Sequence, residues 1–296
     1  MYPMVNRFLA LFLLVATAAA QTSGSAANPT PPPEGESARK ARALIDQTIE
    51  ALGGQAYLTA RQRSEEGRFY SFFHGESNSV GTPFRYFANY PDKERLEIIK
   101  RGNYLVPIPL VGVIVVTHQV KDKNDVVVIH NGDRGYEITY KGTATEEAEA
   151  TADFLRRRKH SLDWVLRKWI NEPGVALFYE GTTVADNKPA EQITIVNAQN
   201  DSVTLFLDQA THLPIQSRFS WRDPADKLRN VEEVIYDGYK PVQGIMTPHS
   251  ITRFLNGQMS YQHFANSVSY QDLPDSLFEA TVTYDPKKAP PKHSPR

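Results

Sequence analysis

The chain contains no cysteine, and it also lacks the familiar sequence signatures of enzymes. Without a thiol it has no cysteine nucleophile, no disulfide framework and no cysteine to carry the acyl chains of a bacterial lipoprotein. No Gly-x-Ser-x-Gly elbow, glycine-rich phosphate loop or His-Glu-x-x-His zinc motif occurs in it. The sequence therefore predicts a protein that is not an enzyme, with no cofactor and no metal site, although distant strands could still assemble an acid/base pair.

An excess of charge of either sign is also lacking. The 33 Lys and Arg residues nearly balance the 34 Asp and Glu residues, which gives a formal net charge of −1. A nucleic-acid-binding domain normally carries a basic patch and a high isoelectric point, so we expect no nucleic-acid partner. The balance favours a partner that is apolar or weakly charged, and we expect the protein to be a monomer.

The first twenty residues have the pattern of an export signal. Arg7 supplies the positive charge, Phe8–Ala16 is a short apolar run, and Ala18 and Ala20 place small residues before a cleavage point. The apolar run is shorter than the about 20 residues that span a bilayer. We therefore predict export to the periplasm, with a signal peptide at residues 1–20, a disordered Pro-rich linker at 21–36, one domain at 37–284 and a disordered tail at 285–296.

Two segments of this domain have helical periodicity, and nearly all the rest alternates as β-strands do. Ser37–Leu52 repeats apolar residues at helical spacing and ends at Gly53-Gly54. Glu146–Ile170 carries a second apolar stripe and ends before Pro173-Gly174. The later strands follow each other through short turns, which is typical of an antiparallel meander. The sequence thus predicts a mainly β domain with two helices.

Turn residues set the expected pairing of three later strands. Asn200-Asp201 would place Val196 opposite Leu205, and a three-residue loop over Gln209–Thr211 would place Leu205 opposite Ile215. One face of the resulting sheet is strongly apolar and has to be covered.

A second turn bears on the histidines. Asn256-Gly257 would place Thr252 opposite Tyr261. The same register would point His249 and His263 to opposite faces of the sheet, so we expect no metal ion between them.

The two helices are the available cover for the apolar face, and a sheet of this length should leave a hydrophobic cavity beneath them. Two early strands are rich in aromatic residues and would add to the cavity wall. The candidate ligand-binding residues are Phe69, Phe72, Val203, Leu205, Leu207, Leu213, Ile215, Phe219 and Trp221 on the strands, and Leu162, Trp164, Leu166 and Trp169 on the second helix.

Clusters of charged residues are expected to face solvent. Arg156-Arg157-Arg158-Lys159 is typical of a solvated helix face, and the alternative is a patch that binds lipid headgroups. Glu65-Glu66 and Glu232-Glu233 lie on strands, where neighbours face opposite sides, so neither pair should share a proton. The apolar stretch Tyr104–Val116 fits either a covered loop or a mobile lid that touches lipid.

Six short phrases of the chain form a recognisable series. They are Ala51-Leu52-Gly53-Gly54, Tyr90-Pro91-x-Lys93-x-Arg95, Asn131-Gly132-Asp133-Arg134-Gly135-Tyr136, Leu207-Asp208-x-x-Thr211-x-Leu213-Pro214, Tyr239-x-x-Val242-x-Gly244-Ile245-x-x-Pro248 and Leu273-Pro274-Asp275-x-x-Phe278. Taken in their order, they resemble the LolA-like superfamily of periplasmic carriers, which includes LppX-type lipid binders. The resemblance implies an open, curved antiparallel half-barrel with helices covering its concave face. It also implies a non-catalytic carrier for lipid or lipoprotein acyl chains; the alternatives are an envelope sensor or assembly module that binds a protein, and a secreted hydrolase.

Cleavage of the signal can be tested on protein expressed in a Gram-negative host. We predict that N-terminal sequencing of the protein released by osmotic shock reads from Gln21, because Ala18 and Ala20 provide the small residues that signal peptidase requires. An intact Met1, or a protein that stays in the membrane fraction, would contradict the prediction.

Overall fold

The structure, a computed structural model, describes residues 35–78, 80–98, 120 and 125–288. The predicted signal peptide and nearly all of the predicted linker lie outside the described residues. The stretch Tyr104–Val116, with its two alternative interpretations, lies outside them as well. The described residues from Gly35 onward belong to one compact unit.

The first predicted helix is confirmed, and the second is divided into shorter elements. The prediction of one helix over Glu146–Ile170 is wrong because Ser161 caps a new helix, its Oγ accepting a hydrogen bond from the backbone N of Trp164 at 3.3 Å. No helix among the described residues is both long enough and apolar enough to cross a bilayer. The elements are α1 (Glu36–Leu52), α2 (Gln55–Thr59), α3 (Ala148–Lys159), α4 (Leu162–Arg167) and 3-10 turns at Trp169–Asn171, Asp275–Phe278 and Pro286–Lys288.

The strands of the described residues follow the predicted pattern, with additional short strands and one interruption. The predicted strand Ile245–Leu255 is broken by Pro248-His249. The strands are β1 (Gln62–Phe73), β2 (Glu76–Ser77), β3 (Thr82–Asn89), β4 (Lys93–Ile98), β5 (Val126–Asn131), β6 (Arg134–Thr139), β7 (Gly142–Thr145), β8 (Ala176–Ala185), β9 (Lys188–Val196), β10 (Ser202–Asp208), β11 (Pro214–Arg222), β12 (Arg229–Asp237), β13 (Lys240–Val242), β14 (Ile245–Thr247), β15 (Ser250–Leu255) and β16 (Gln258–Ser269).

Most of these strands form one antiparallel sheet. Its order is β7-β6-β5-β4-β3-β1-β16-β15-β12-β11-β10-β9-β8, β2 pairs with the end of β1, and β13 pairs with β14 apart from it. Because β7 and β8 are its two edges, the sheet is not closed into a barrel. The predicted fold class, an open curved antiparallel sheet with helices over one face, is confirmed.

The register predicted at Asn200-Asp201 is wrong. Asn197 Oδ1 accepts hydrogen bonds from the backbone N of Gln199 at 3.0 Å and of Asp201 at 2.9 Å, which makes the turn longer than two residues. Leu205 therefore pairs with Ile193 rather than Val196.

The next hairpin also departs from prediction. An irregularity between Phe206 and Leu207 places Leu205 opposite Ser217 instead of Ile215. Ile215 consequently leaves the predicted apolar face and packs with Phe206 in a separate small cluster, together with Ala185 and Ala190.

The Asn256-Gly257 hairpin begins as predicted and then shifts. Phe254 is opposite Met259, but a bulge beside Arg253 pairs this arginine with Tyr261 and moves Thr252 opposite Gln262. The shift pairs His263 with Ile251, whereas the predicted register pairs it with Ser250. No cluster of three potential metal ligands of the His, Asp or Glu type occurs in the described part of the chain.

The main apolar core lies between the helices and the β8–β11 half of the sheet. α1 contributes Leu44 and Ile45, and α4 contributes Val165 and Leu166. The strand residues facing them alternate along each strand, as expected for a sheet with one covered face. Those in this cluster are Leu177, Ile193, Ile195, Val203, Leu205, Leu207, Leu213 and Phe219.

The C-terminal segment covers part of the opposite face. Leu277 and Phe278 are fully buried and pack with Phe87 and Leu273. Arg95 donates to the carbonyl oxygen of Leu277 at 3.2 Å, which ties this segment to β4.

Leu205 tests the assignment of the covered face, because it has 0% exposure in the main core. We predict that Leu205→Asp prevents folding or lowers the free energy of unfolding by several kcal/mol, because an unpaired charge is then buried. Thr204→Asp, on the other face of the same strand and opposite Arg218, should change it little. Thermal melting followed by circular dichroism measures both, and an unchanged midpoint for Leu205→Asp would show that the face is exposed.

Candidate functional site: the cavity between helices and sheet

A cavity of about 170 Å³ lies between the helical segment and the middle of the sheet. Its wall combines apolar, hydroxyl-bearing and charged side chains. The lining residues are Leu52, Leu162, Phe219, Val234, Ile245, Met246, Pro248 and Ile251; Tyr57, Tyr236, Tyr270, His160 and Ser161; and Arg63, Arg157, Arg253, Asp163 and Glu232.

Strand pairing explains how the sheet side of the cavity is assembled. Phe219 on β11 is opposite Glu232 on β12, and Val234 is opposite Arg253 on β15. Since alternate residues of a strand share a face, Glu232 and Val234 point to the same side. An acidic, a basic and two apolar side chains are thereby placed next to each other on one patch of sheet.

The helical side of the cavity is held over the sheet by polar contacts at both ends of α3. Arg158 donates to the carbonyl oxygens of Asp92 at 3.1 Å and Gly132 at 2.9 Å. The ring of Phe154 stacks on that of His130, whose Nε2 lies 2.9 Å from Glu146 Oε2. Burial lowers the pKa of His130, and the nearby Glu146 opposes this effect.

α4 is tied to the start of the domain in the same manner. Tyr57 donates its hydroxyl proton to Asp163 Oδ1 at 2.9 Å, and Arg167 forms an ion pair with the same carboxylate at 3.3 Å. Arg167 also donates to the carbonyl oxygen of Ala60. The charge of Asp163 at the cavity wall is therefore compensated by protein groups.

A buried ion cluster lies beside the cavity on β1 and β16. Glu65 is 3% exposed, with Arg63 NH2 at 2.6 Å and His263 Nε2 at 3.0 Å. Burial alone would raise the pKa of Glu65, but Arg63 and His263 outweigh burial and lower it to about 2. The prediction that Glu65 faces solvent is wrong, because its strand position points into the covered face.

The pKa of Glu232 is shifted in the opposite direction. Glu232 is 7% exposed, and its carboxylate makes neither a hydrogen bond nor an ion pair with any residue in the described ranges. Burial raises its pKa, and the more distant Arg253 and Arg157 reduce the effect without reversing it. The prediction that Glu232-Glu233 is solvated therefore fails for Glu232, whereas Glu233 pairs with the exposed Arg218.

The residues predicted from sequence to bind a ligand divide into three groups. Leu162 and Phe219 line the cavity. Trp221 and Trp164 pack, half-buried, against the main core, and the Trp164 ring lies 4.2 Å from Lys168 Nζ. Fully or nearly fully buried core positions are occupied by Val203, Leu205, Leu207, Leu213, Leu166 and Trp169, the last with 1% exposure.

Phe69 and Phe72, the two β1 residues predicted to bind a ligand, lie on opposite faces of the sheet. Phe69 stacks on Tyr261 with ring centroids 5.6 Å apart, on the face that also carries Glu65. Phe72 is three residues further on an uninterrupted strand, so its side chain lies on the other face and cannot share a cavity with Phe69. Ile215 is likewise placed on the other face of the sheet.

Sequence reasoning missed the charged wall of the cavity. It favoured a solvated helix face for Arg157, with a headgroup-binding patch as the alternative, and this side chain is half-buried and lines the cavity. A signal was present for Arg253, because it alternates with Ile251 on one strand and so shares a face with an apolar residue. For Arg157 no comparable signal exists, since its neighbours across the cavity come from distant strands.

Comparison with known proteins adds information about the fold. Neither a scan against protein-family models nor a search of curated proteins finds a match. Two solved structures similar to this chain are a DUF1329 family protein from Desulfovibrio piger (11% identity, TM-score 0.48) and a LolA superfamily protein from Nitrosomonas europaea (11% identity, TM-score 0.47). Each alignment covers 81% of this chain and 97% of the other.

A member of the superfamily that the sequence phrases resemble is thus among the matched structures. Since both TM-scores are below 0.5, we base the function proposed below on the geometry of the cavity.

The two buried glutamates should affect stability in opposite directions. The pKa of Glu65 in the folded protein lies below its ordinary value of 4.5, so its stabilisation is present above pH 4.5 and is lost as the pH falls towards 2. The pKa of Glu232 is raised, so its ionised form destabilises the fold at neutral pH. We predict that Glu65→Gln lowers the free energy of unfolding at pH 7 by about 3–5 kcal/mol, and that Glu232→Gln increases it.

Urea unfolding between pH 3.5 and 7.5 measures these differences. Both should shrink as the pH decreases, because Glu65 becomes protonated in the unfolded chain below about pH 4.5, and Glu232 becomes protonated in the folded protein at a higher pH than in the unfolded chain. Glu233→Gln, on the same strand as Glu232 but in an exposed ion pair, is the control and should change stability by about 1 kcal/mol or less. A stabilising Glu65→Gln or a destabilising Glu232→Gln at pH 7 would contradict the assigned environments.

Proposed function

We propose that this protein is a non-catalytic carrier in the bacterial cell envelope that binds the acyl chains of a lipid or an acylated lipoprotein between its helices and its sheet. In this proposal the chain is exported, loses residues 1–20 and acts as a monomer in the periplasm. The observation that carries the proposal is the cavity itself, which joins the apolar core beneath α4 to a charged wall on β12 and β15.

The mixture of side chains in the wall fits an amphiphile. Leu162, Phe219 and Ile251 offer apolar surface to a hydrocarbon chain, and each buried methylene contributes about 0.8 kcal/mol. About ten methylenes would thus suffice for micromolar affinity. The hydroxyl and charged groups of the same wall would face the polar end of the ligand.

The size of the cavity indicates that loading requires movement. Its volume of about 170 Å³ is little more than that of the roughly 150 Å³ cavity that holds a benzene ring. Pockets for larger ligands measure about 300–1,000 Å³. A long acyl chain would therefore enter only as α3 and α4 move away from the sheet.

The contacts that hold α3 and α4 are suited to such a movement. Arg158 and Arg167 bind backbone carbonyl oxygens of loops near the ends of strands. A hydrogen bond from a charged donor of this kind contributes about 1.5–3 kcal/mol net, because water replaces it when it opens. The apolar surface beneath α4 is the larger cost of opening, and an acyl chain would cover it.

Lipid binding is tested by filling the cavity. We predict that delipidated protein binds a fluorescent C16 fatty acid saturably and that Leu162→Trp weakens binding at least about tenfold, since the larger side chain occupies the space of the chain. Val184→Trp adds the same bulk at an exposed site on β8 and should leave the affinity unchanged.

Native mass spectrometry of the protein purified from the envelope provides the second measurement. Wild type should retain a lipid-sized adduct that Leu162→Trp loses. If folded wild type shows neither an adduct nor saturable binding, the carrier proposal is wrong, and capture of a protein partner from the envelope would then favour the sensor or assembly role.

A further inference from the structure

Two arginines of the cavity wall have no anionic partner among the described residues. Arg157 lines the cavity from α3, and its guanidinium group makes no hydrogen bond or ion pair with them. Arg253 lines it from β15, and its guanidinium carbon lies 4.8 Å from the ring centroid of Tyr261. Half-buried guanidinium groups normally donate to carboxylates or carbonyls, because each carries five N–H donors.

The guanidinium groups of the other arginines around the cavity have hydrogen-bond or ion-pair partners. Arg63 is paired with Glu65 at 2.6 Å, Arg158 donates to two carbonyl oxygens, and Arg167 is paired with Asp163 at 3.3 Å. The absence of partners is thus a property of Arg157 and Arg253, and it does not apply to every arginine of the site.

The charged side chains Arg157, Arg253 and Glu232 of the cavity wall carry a net positive charge. Glu232 is the nearby carboxylate, yet it forms an ion pair with neither arginine. Burial lowers the pKa of Arg157, and the charge of Arg253 lowers it further. Two half-buried cations and one buried anion give the group a net charge of about +1, in a setting where water screens charges poorly.

Apolar residues surround this cationic group on the sheet. Val234 is directly opposite Arg253 in the register, and Phe219 is directly opposite Glu232. Leu162 closes the cavity from α4. A ligand that satisfies the arginines therefore has a hydrocarbon part next to its charged part.

We propose that Arg157 and Arg253 together bind the anionic headgroup, a phosphate or a carboxylate, of the acyl ligand. The acyl chain would run from this headgroup along Leu162 and Phe219 towards the core beneath α4. Glu232 would repel the same headgroup and so keep its affinity low enough for release. This inference rests on the carrier function proposed above and specifies the class of ligand.

Three probes of related chemistry separate the possible sources of the anion. Dodecyl phosphate carries both chain and charge, dodecyl maltoside carries an equal chain without charge, and inorganic phosphate carries the charge alone. Isothermal titration calorimetry below the micellar concentrations should show dodecyl phosphate binding about tenfold or more tighter than dodecyl maltoside, as expected for charge-assisted hydrogen bonds. Inorganic phosphate should bind at least about a hundredfold more weakly than dodecyl phosphate.

Variants of the cavity wall are compared with a control variant on the opposite face of the sheet. Arg157→Gln combined with Arg253→Gln should lower the affinity for dodecyl phosphate about tenfold to a hundredfold and leave that for dodecyl maltoside within about twofold. Glu232→Gln should instead raise the affinity for dodecyl phosphate several-fold. Arg218→Gln removes an arginine on the opposite face of β11 and should change neither affinity.

The outcomes distinguish this inference from the function on which it rests. If both dodecyl probes bind equally and the double variant changes neither, the headgroup assignment is wrong and the carrier function stands. If inorganic phosphate binds as tightly as dodecyl phosphate, the site serves a free anion and the assignment is also wrong. If no probe binds to folded wild type, both proposals fail. The comparison of probes on wild type holds even if a variant does not fold.

Discussion

β7 and β8 follow one another in the chain but lie at opposite edges of the sheet, so residues 146–175 have to cross one of its faces. The described connections between the other strands that are neighbours in the sheet can remain near its ends. The crossing segment carries α3 and α4, and its apolar side chains cover the β8–β11 half of the sheet. The cavity lies where this cover crosses the middle strands, because there the sheet face carries charged side chains as well as apolar ones. Its position is thus a consequence of strand order.

The crossing of the sheet face by residues 146–175 also explains where the cations of α3 and α4 lie. A segment that crosses a sheet without pairing to it needs contacts with the strand ends, and in this chain cations provide several of them. Arg158, Lys159 and Arg167 each bind an oxygen at the end of a strand or in a loop. The basic run of α3 therefore attaches the helix to the sheet, and Arg157 is the member of the run that faces the cavity instead. One stretch of sequence serves both attachment and the charge of the site.

Much of the architecture could be predicted from the sequence, and the failures have local causes. Alternation along Val203–Leu207 identified the covered face correctly, because Leu205 and Leu207 have to be buried whatever their partners are. Pairing partners were predicted less well, since the side chain of Asn197 lengthens one turn and bulges beside Arg253 and Leu207 shift two others. A bulge adds one residue, and with a side-chain period of two that is enough to move Ile215 to the other face.

The site was harder to predict than the fold because its character depends on pairs that are distant in sequence. Arg63 and Arg253 are both arginines on central strands, yet one is neutralised by Glu65 two residues away and the other has no carboxylate partner among the described residues. Composition cannot separate them, and only the register places Arg253 opposite Val234 and within the field of Arg157. Unpaired half-buried cations reduce stability, whereas a hydrophobic residue at either position would avoid the free-energy cost of removing a charge from water. Under the proposed headgroup assignment, the fold gives up some of its own stability in favour of a ligand that brings a negative charge and a hydrocarbon chain together.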